Sequence, residues 1–190
     1  TALSAEAFEI AANETGAVVL DVRHQDDFAK AHIPRSIFIG LKGSFAPWVG
    51  ALIADVKLPI LLVTEKGKEE EAITRLSRVG FDGTLGYLDG GVESWKAVGK
   101  EVDSVESISA ETFKTRLVNK VPVFDVRKET EFSAEHVENA HLTPLDFLND
   151  HLTEFPEKET FYVHCAGGYR SMIAASILKS RGIHNLVDVA

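Results

Sequence analysis

Residues 18–33 read VVLDVRHQDDFAKAHI, and residues 121–137 read VPVFDVRKETEFSAEHV. Asp21, Val22, Arg23, Phe28 and His32 return as Asp125, Val126, Arg127, Phe132 and His136, all at an offset of 104. The repeat extends in both directions. LSAEAF at residues 3–8 returns as ISAETF at 108–113, ILLV at 60–63 matches TFYV at 160–163, and AITRLSRVGF at 72–81 matches AASILKSRGI at 174–183. Such self-similarity marks two copies of one domain in tandem, here residues 1–103 and 104–190. The polar stretch VGKEVDSVES, residues 98–107, reads as the linker.

Within each copy the elements alternate. Ser4 and Ser109 stand where helix N-caps belong. Short β-branched runs follow at Val18–Val22 and Val123–Val126, then at Ile60–Thr64 and Phe161–His164, each leading into a helical pattern. Apolar strands alternating with helices predict an α/β fold, a parallel sheet flanked by helices in each copy. The first copy runs on through LDGGVESW, residues 88–95, whereas Val189–Ala190 fall just before the matching position. The second copy is therefore expected to be incomplete at its C-terminal side, and Thr1 in place of a methionine suggests a missing upstream segment.

A chain of 190 residues with 45% hydrophobic and 26% charged residues suits globular domains. Its net charge is −9, shared as −5 over residues 1–103 and −4 over 104–190. That uniform acidity repels phosphate backbones and argues against nucleic acid or an anionic membrane as partner. The apolar runs are too short to span a bilayer. One cysteine permits no internal disulfide, which fits a reducing, cytoplasmic setting.

Residues kept in both copies read as fold determinants: Asp21/Asp125 with Arg23/Arg127 as an ion pair or loop anchor, and His32/His136 as local packing or hydrogen-bonding groups. Chemistry belongs where the copies part. After the central strand the second copy reads VHCAGGYRSMIAA and the first VTEKGKEEEA, with Glu65 at the position of Cys165 and a loop two residues shorter. A carboxylate cannot do thiol chemistry, so the first copy is expected to be non-catalytic.

A lone cysteine is often a buried packing residue, but Cys165 follows a strand, precedes Gly167 and Gly168, and opens a helix. A helix N-terminus stabilises an anion by about 0.3–2 kcal/mol, too little alone to make a full thiolate. The loop must add donors. Its glycines let main-chain N–H groups turn inward as an anion nest, Arg170 brings positive charge, and Ser171 brings a hydroxyl and a possible helix cap. These features favour a nucleophile.

With DVR, a following F…H segment and a cysteine loop before a helix in place, the sequence resembles the rhodanese family of sulfurtransferases over nearly its whole length, twice. The resemblance implies that Cys165 takes a sulfane sulfur from thiosulfate or a persulfide, holds it as a persulfide, and passes it to a thiol or cyanide. It implies a binding loop of Ala166, Gly167, Gly168, Tyr169, Arg170 and Ser171, with Asp125 and Arg127 in support, and no cofactor or metal. Related phosphatases use a loop one residue longer, so the six residues of CAGGYR point to sulfur. Tandem members with an inactive first copy fit Glu65. The wording of residues 165–190 also resembles rhodanese tails fused to bacterial metallo-β-lactamase-type hydrolases, which implies a metallo-hydrolase neighbour in the same chain.

Within the loop, Arg170 either orients an anionic donor or braces the loop through a salt bridge. Tyr169 is expected to project from the loop tip. Strand alternation turns His164 away from Cys165, as a core or hydrogen-bonded residue rather than a base. Three rivals remain: a phosphatase or arsenate reductase on the same fold, a non-enzymatic sulfur carrier or docking module, and a metal site among His136, His141, His151, His164 and Cys165. For the last, no pair shows a recognised ligand spacing on one element.

Overall fold

The computed structural model describes residues 1–190. The chain divides into two units, Thr1–Ser104 and Val105–Ala190, one residue beyond the division read from the repeat. In the first unit, β1 (Ala2–Leu3) leads to α1 (Ala5–Thr15), β2 (Val18–Asp21), α2 (Gln25–Lys30) and β3 (Ile37–Phe38). Then follow α3 (Phe45–Leu52), β4 (Ile60–Val63), α4 (Glu69–Arg78), β5 (Thr84–Leu88) and α5 (Gly91–Ala97). The strands form one sheet in the order β1-β5-β4-β2-β3, every pairing parallel.

The second unit repeats the plan. It runs β6 (Ser107–Ile108), α6 (Ala110–Arg116), β7 (Val123–Asp125), α7 (Glu129–Ala134) and β8 (His141–Leu142). A 3-10 stretch over Leu145–Glu154, kinked at Phe147, stands where the first unit has α3. β9 (Phe161–His164), α8 (Tyr169–Ser180) and β10 (Leu186–Val189) complete it, with sheet order β6-β10-β9-β7-β8, again parallel throughout. No helix is long and apolar enough to cross a membrane.

Local chemistry accounts for the elements. Ser4 Oγ accepts the Ala7 N–H (3.2 Å) and Ser109 Oγ the Thr112 N–H (3.1 Å), so each unit's first helix starts at a serine cap. Alternation along the central strand divides the core between two faces. In the first unit Leu61, Val63 and Leu88 pack with Ala5 and Phe8 of α1 and Val92 and Trp95 of α5. The fully buried Ile60 and Leu62 point to the other face. In the second unit Phe113 of α6 packs with Val123, Tyr162, Val187 and Val189. Across the sheet, Phe124 lies 4.4 Å from Phe155 and 5.4 Å from Phe161 between ring centroids.

Each sheet is completed at one edge by pairing the unit's first strand with its last. Ala2 and Leu3 pair with Tyr87 and Leu88, and Ser107 and Ile108 with Asp188 and Val189. The approach of β1 to β5 is close enough to require a glycine, since a Cβ on Gly86 would lie 2.5 Å from the Thr1 carbonyl oxygen.

The stretch read as a linker is ordered in part. Asp103 exchanges both main-chain hydrogen bonds with His32, at 2.9 Å each, and Trp95 Nε1 donates to the Glu101 carbonyl at 2.7 Å. Main-chain pairing leaves no mark on side-chain polarity, so composition alone reads this segment as free.

Candidate functional site

β9 is the middle strand of the second sheet and delivers Cys165 just past its C-terminal end, the edge at which open parallel sheets hold their ligands. The chain then turns through Ala166–Gly168 into the twelve-residue α8. Gly168 makes the turn with φ +86°, a left-handed conformation that is costly for any residue with a Cβ. No side chain caps α8. Instead Sγ of Cys165 accepts the N–H groups of Gly168 (3.2 Å) and Ser171 (3.3 Å), the sulfur standing where a cap oxygen would. The thiol is half-buried, so it faces both the amides and a route to solvent.

The loop residues differ in what they do. Ala166 and Gly167 form the exposed tip. Tyr169 does not project from that tip; it is half-buried as the first residue of α8. Ser171 does not cap the helix either. It lies within the first turn, fully buried, and its hydroxyl has no hydrogen-bond partner.

Arg170 settles into one of its two expected roles. Its guanidinium grips Glu131 of α7 with both arms, Nη1 to Oε2 at 2.7 Å and Nη2 to Oε1 at 3.0 Å. Glu131 also accepts the Lys128 N–H at 3.0 Å, so one carboxylate closes the start of α7 and braces the cysteine loop. The Arg170 hydrogen bonds, helped by the Lys128 N–H, hold the Glu131 carboxyl down at about 2. Glu131 was invisible to the sequence reading. A glutamate in the first turn of a helix signals a cap, whereas its ion pair spans 39 residues.

Asp125 and Arg127 act as both ion pair and loop anchor. The buried Asp125 carboxylate accepts the Arg127 N–H (2.9 Å), Nε (3.0 Å) and Nη2 (2.8 Å), and Nη2 donates onward to the Glu135 carbonyl (2.7 Å). Asp21, Arg23 and the Ala31 carbonyl reproduce this arrangement in the first unit. The paired histidines also match: His32 stacks on Phe28 at 3.9 Å and His136 on Phe132 at 3.8 Å, each Nδ1 bonding the main-chain carbonyl of the phenylalanine it covers. Both copies thus use these positions for the fold.

His164 is half-buried on the Phe113 and Tyr162 side of the sheet, its ring 6.5 Å from Phe113. Burial pushes its imidazole below the ordinary value, opposed by the Asp125 carboxylate. Nε2 stands 3.7 Å from Asp125 Oδ2, beyond hydrogen-bond reach. The five residues of the metal alternative are not brought together, and no cluster of three His, Cys, Asp or Glu residues is placed to hold an ion. His136 bonds Phe132, His141 stacks on Phe124 at 5.2 Å, and His151 contacts Glu154.

The corresponding corner of the first unit differs in each chemical respect. Glu65 follows Thr64 past β4, and its carbonyl accepts the Lys68 N–H at 3.1 Å. The first turn of α4 carries Glu69, Glu70 and Glu71, three carboxylates over the positive end of the helix. Their negative charge disfavours a further anion at that helix start.

A sequence model of the rhodanese-like domain matches the chain twice, over residues 4–98 and 109–190. The Bacillus subtilis protein YrkF, a sulfur carrier by name, is 27% identical over 92 residues, which are 47% of this chain and 50% of that protein. The chain thus covers about half the length of that curated relative. Among solved structures, a rhodanese-like domain protein from Staphylococcus aureus is 34% identical, covering 45% of this chain and 84% of that one with a TM-score of 0.43. The thiosulfate sulfurtransferase of Pseudomonas aeruginosa is 22% identical, covering 100% and 40% with a TM-score of 0.47. SseA of Escherichia coli, titled a 3-mercaptopyruvate sulfotransferase, is 13% identical, covering 98% and 96% with a TM-score of 0.46. With both sheets parallel, both Asp–Arg anchors in place and both halves matched, the chain belongs to the rhodanese-like domain family as a tandem pair.

Proposed function

We propose that the second unit is a sulfurtransferase in which Cys165 takes a sulfane sulfur from thiosulfate or a persulfide and carries it as a persulfide to a thiol or cyanide. The observation that supports this best is the pair of main-chain N–H groups, from Gly168 and Ser171, aimed at Sγ at the start of α8. Donors fixed where negative charge rests on sulfur stabilise the attacking thiolate and the persulfide anion alike.

In the first step the thiolate attacks the donor's outer sulfur. An S–S bond forms to Sγ while the bond between the donor's own two sulfurs breaks, and its electron pair leaves on sulfite or a thiolate. In the second step the acceptor, a thiolate sulfur or the cyanide carbon, attacks that outer sulfur and Sγ recovers its pair. The buried, unpartnered Ser171 hydroxyl adds a donor of the kind an added sulfur needs. Ala166 and Gly167, exposed at the tip, leave the approach open.

Two further observations bear on the rivals. A phosphatase needs its loop arginine to clasp a phosphoryl dianion, whereas both arms of Arg170 are engaged by Glu131. The likeness to YrkF favours a second reading, a carrier that accepts sulfur and hands it to one partner without turnover. In either reading the first unit is non-catalytic, since Glu65 offers no thiol and its loop is shorter by two residues.

The test is to incubate the chain with thiosulfate or a persulfide and weigh it. A gain of one sulfur, absent in Cys165→Ser, is expected. Steady turnover with cyanide or a thiol marks the enzyme, and a single stoichiometric transfer marks the carrier. A folded sample that gains no sulfur from either donor overturns both.

A further inference from the structure

The charges around Cys165 balance in pairs. Arg170 is the only arginine or lysine between residues 165 and 171, and Glu131 holds both its arms. Arg127, on the neighbouring strand's end, is held by Asp125. What remains at the sulfur is the partial positive charge of a helix N-terminus, about half an elementary charge, and the N–H groups that express it. That complement suits one negative charge. Thiosulfate brings two, and a thiolate attacking it gathers three, while Arg170 and Arg127 are both already paired with carboxylates. A persulfide R–S–SH brings one charge or none.

We propose that Glu131 sets the donor specificity of the site, holding Arg170 as a structural brace so that persulfides are preferred to thiosulfate. This inference rests on the sulfurtransferase reading of Cys165. Glu131 is itself fixed by the Lys128 N–H at 3.0 Å, so it does not swing away to release the arginine. Its carboxyl stays ionised throughout the neutral range, held down at about 2 by the same partners. Arg170 also feels the Cys165 sulfur electrostatically, so a change in its pairing is felt at the reacting atom. The first unit lacks this device: its loop, EKGKEEE over residues 65–71, contains no arginine to be held.

The reactions compared are Cys–S⁻ with S–SO₃²⁻, giving Cys–S–S⁻ and sulfite, and Cys–S⁻ with R–S–SH, giving Cys–S–SH and the thiolate R–S⁻. In both, the outer sulfur changes partner and the leaving group keeps the electron pair of the broken S–S bond.

Rates of sulfur loading onto Cys165 are measured by mass for the full chain, with thiosulfate and with the persulfide of 2-mercaptoethanol, whose carbon chain carries no charge. In Glu131→Gln, Arg170 is released and the thiosulfate-to-persulfide rate ratio is expected to rise about tenfold, equivalent to about 1.4 kcal/mol. In the double variant Glu131→Gln/Arg170→Gln the brace is lost with the net charge unchanged and no cation released to the donor, so both rates fall in the same proportion. An unchanged or lower ratio in Glu131→Gln, or a selective loss of thiosulfate use in the charge-neutral double variant, overturns the inference while leaving the sulfurtransferase reading intact. The second variant decides the matter if the first does not fold. Absence of loading from either donor in the unaltered chain overturns the reading and this inference together.

Discussion

The turn at Gly168 positions an N–H on the sulfur, and its φ of +86° is what permits this. Gly168→Ala is expected to cost about 1–2 kcal/mol through its left-handed backbone and to slow sulfur loading, read from a thermal melt and the mass assay. Two residues with side chains also sit in that region, Arg35 at φ 69° and Asn139 at φ 66°. Asparagine tolerates it and arginine does not. Arg35→Gly should therefore stabilise the first unit by about 0.5 kcal/mol, while Asn139→Gly changes little; urea midpoints distinguish them. The Glu131 pair carries a pH signature. Its carboxyl, ordinarily near 4.5, lies at about 2 in the folded chain. The stabilisation is therefore complete above about 4.5 and disappears as pH falls toward 2. Because the group is a third exposed, water and salt screen the pair and the effect is small. The difference in melting temperature between the unaltered chain and Glu131→Gln should close over that interval. The Asp–Arg anchors were legible beforehand because repetition exposed them; Glu131 was not, because its partner comes from another element.

Among the elements, α1 and α6 begin at equivalent serines whose hydroxyls make equivalent caps. Ser4→Ala and Ser109→Ala should each cost about 1 kcal/mol, measured by denaturant unfolding. The helix α8 behaves differently, for Ser171 through Ser176 and Leu178 are all buried and its first turn is occupied by the cysteine sulfur. Ile173→Ala should cost about 2–5 kcal/mol. The positions of strands and helices could be read from β-branched runs and caps, since those depend on neighbouring residues. What escaped was the placement of single residues by their surroundings: Tyr169 drawn into α8, Ser171 inside the helix rather than at its start, and Asp103 bonded through its main chain to His32. Each depends on where the backbone goes, which side-chain type does not encode.

Taken as a whole, the molecule contains its own control, one plan built twice with different chemistry at one corner. If a thiol alone made the site, Glu65→Cys placed with Cys165→Ser would restore sulfur loading. It is expected not to, because the first-unit loop is two residues shorter and Glu69, Glu70 and Glu71 crowd the helix start with negative charge; mass measurement after exposure to a persulfide, with the unaltered chain alongside, checks it. Repetition made this plan readable as a fold, and the single substitution at Glu65 made the contrast readable as function. The order of strands was beyond reach, since no local pattern says that the first strand lies beside the last. That order governs how the chain acquires its structure. Ala2 waits for Tyr87, and Ser107 for Asp188, before either sheet is complete. Such distant closures slow folding, and a growing chain gains its domains one after another from the N-terminus. The edge-strand groove beside β5, and later that beside β10, therefore stays open while the rest of its unit has already formed, and the amides of these two strands should be the last in each unit to gain protection in pulse-labelled hydrogen exchange.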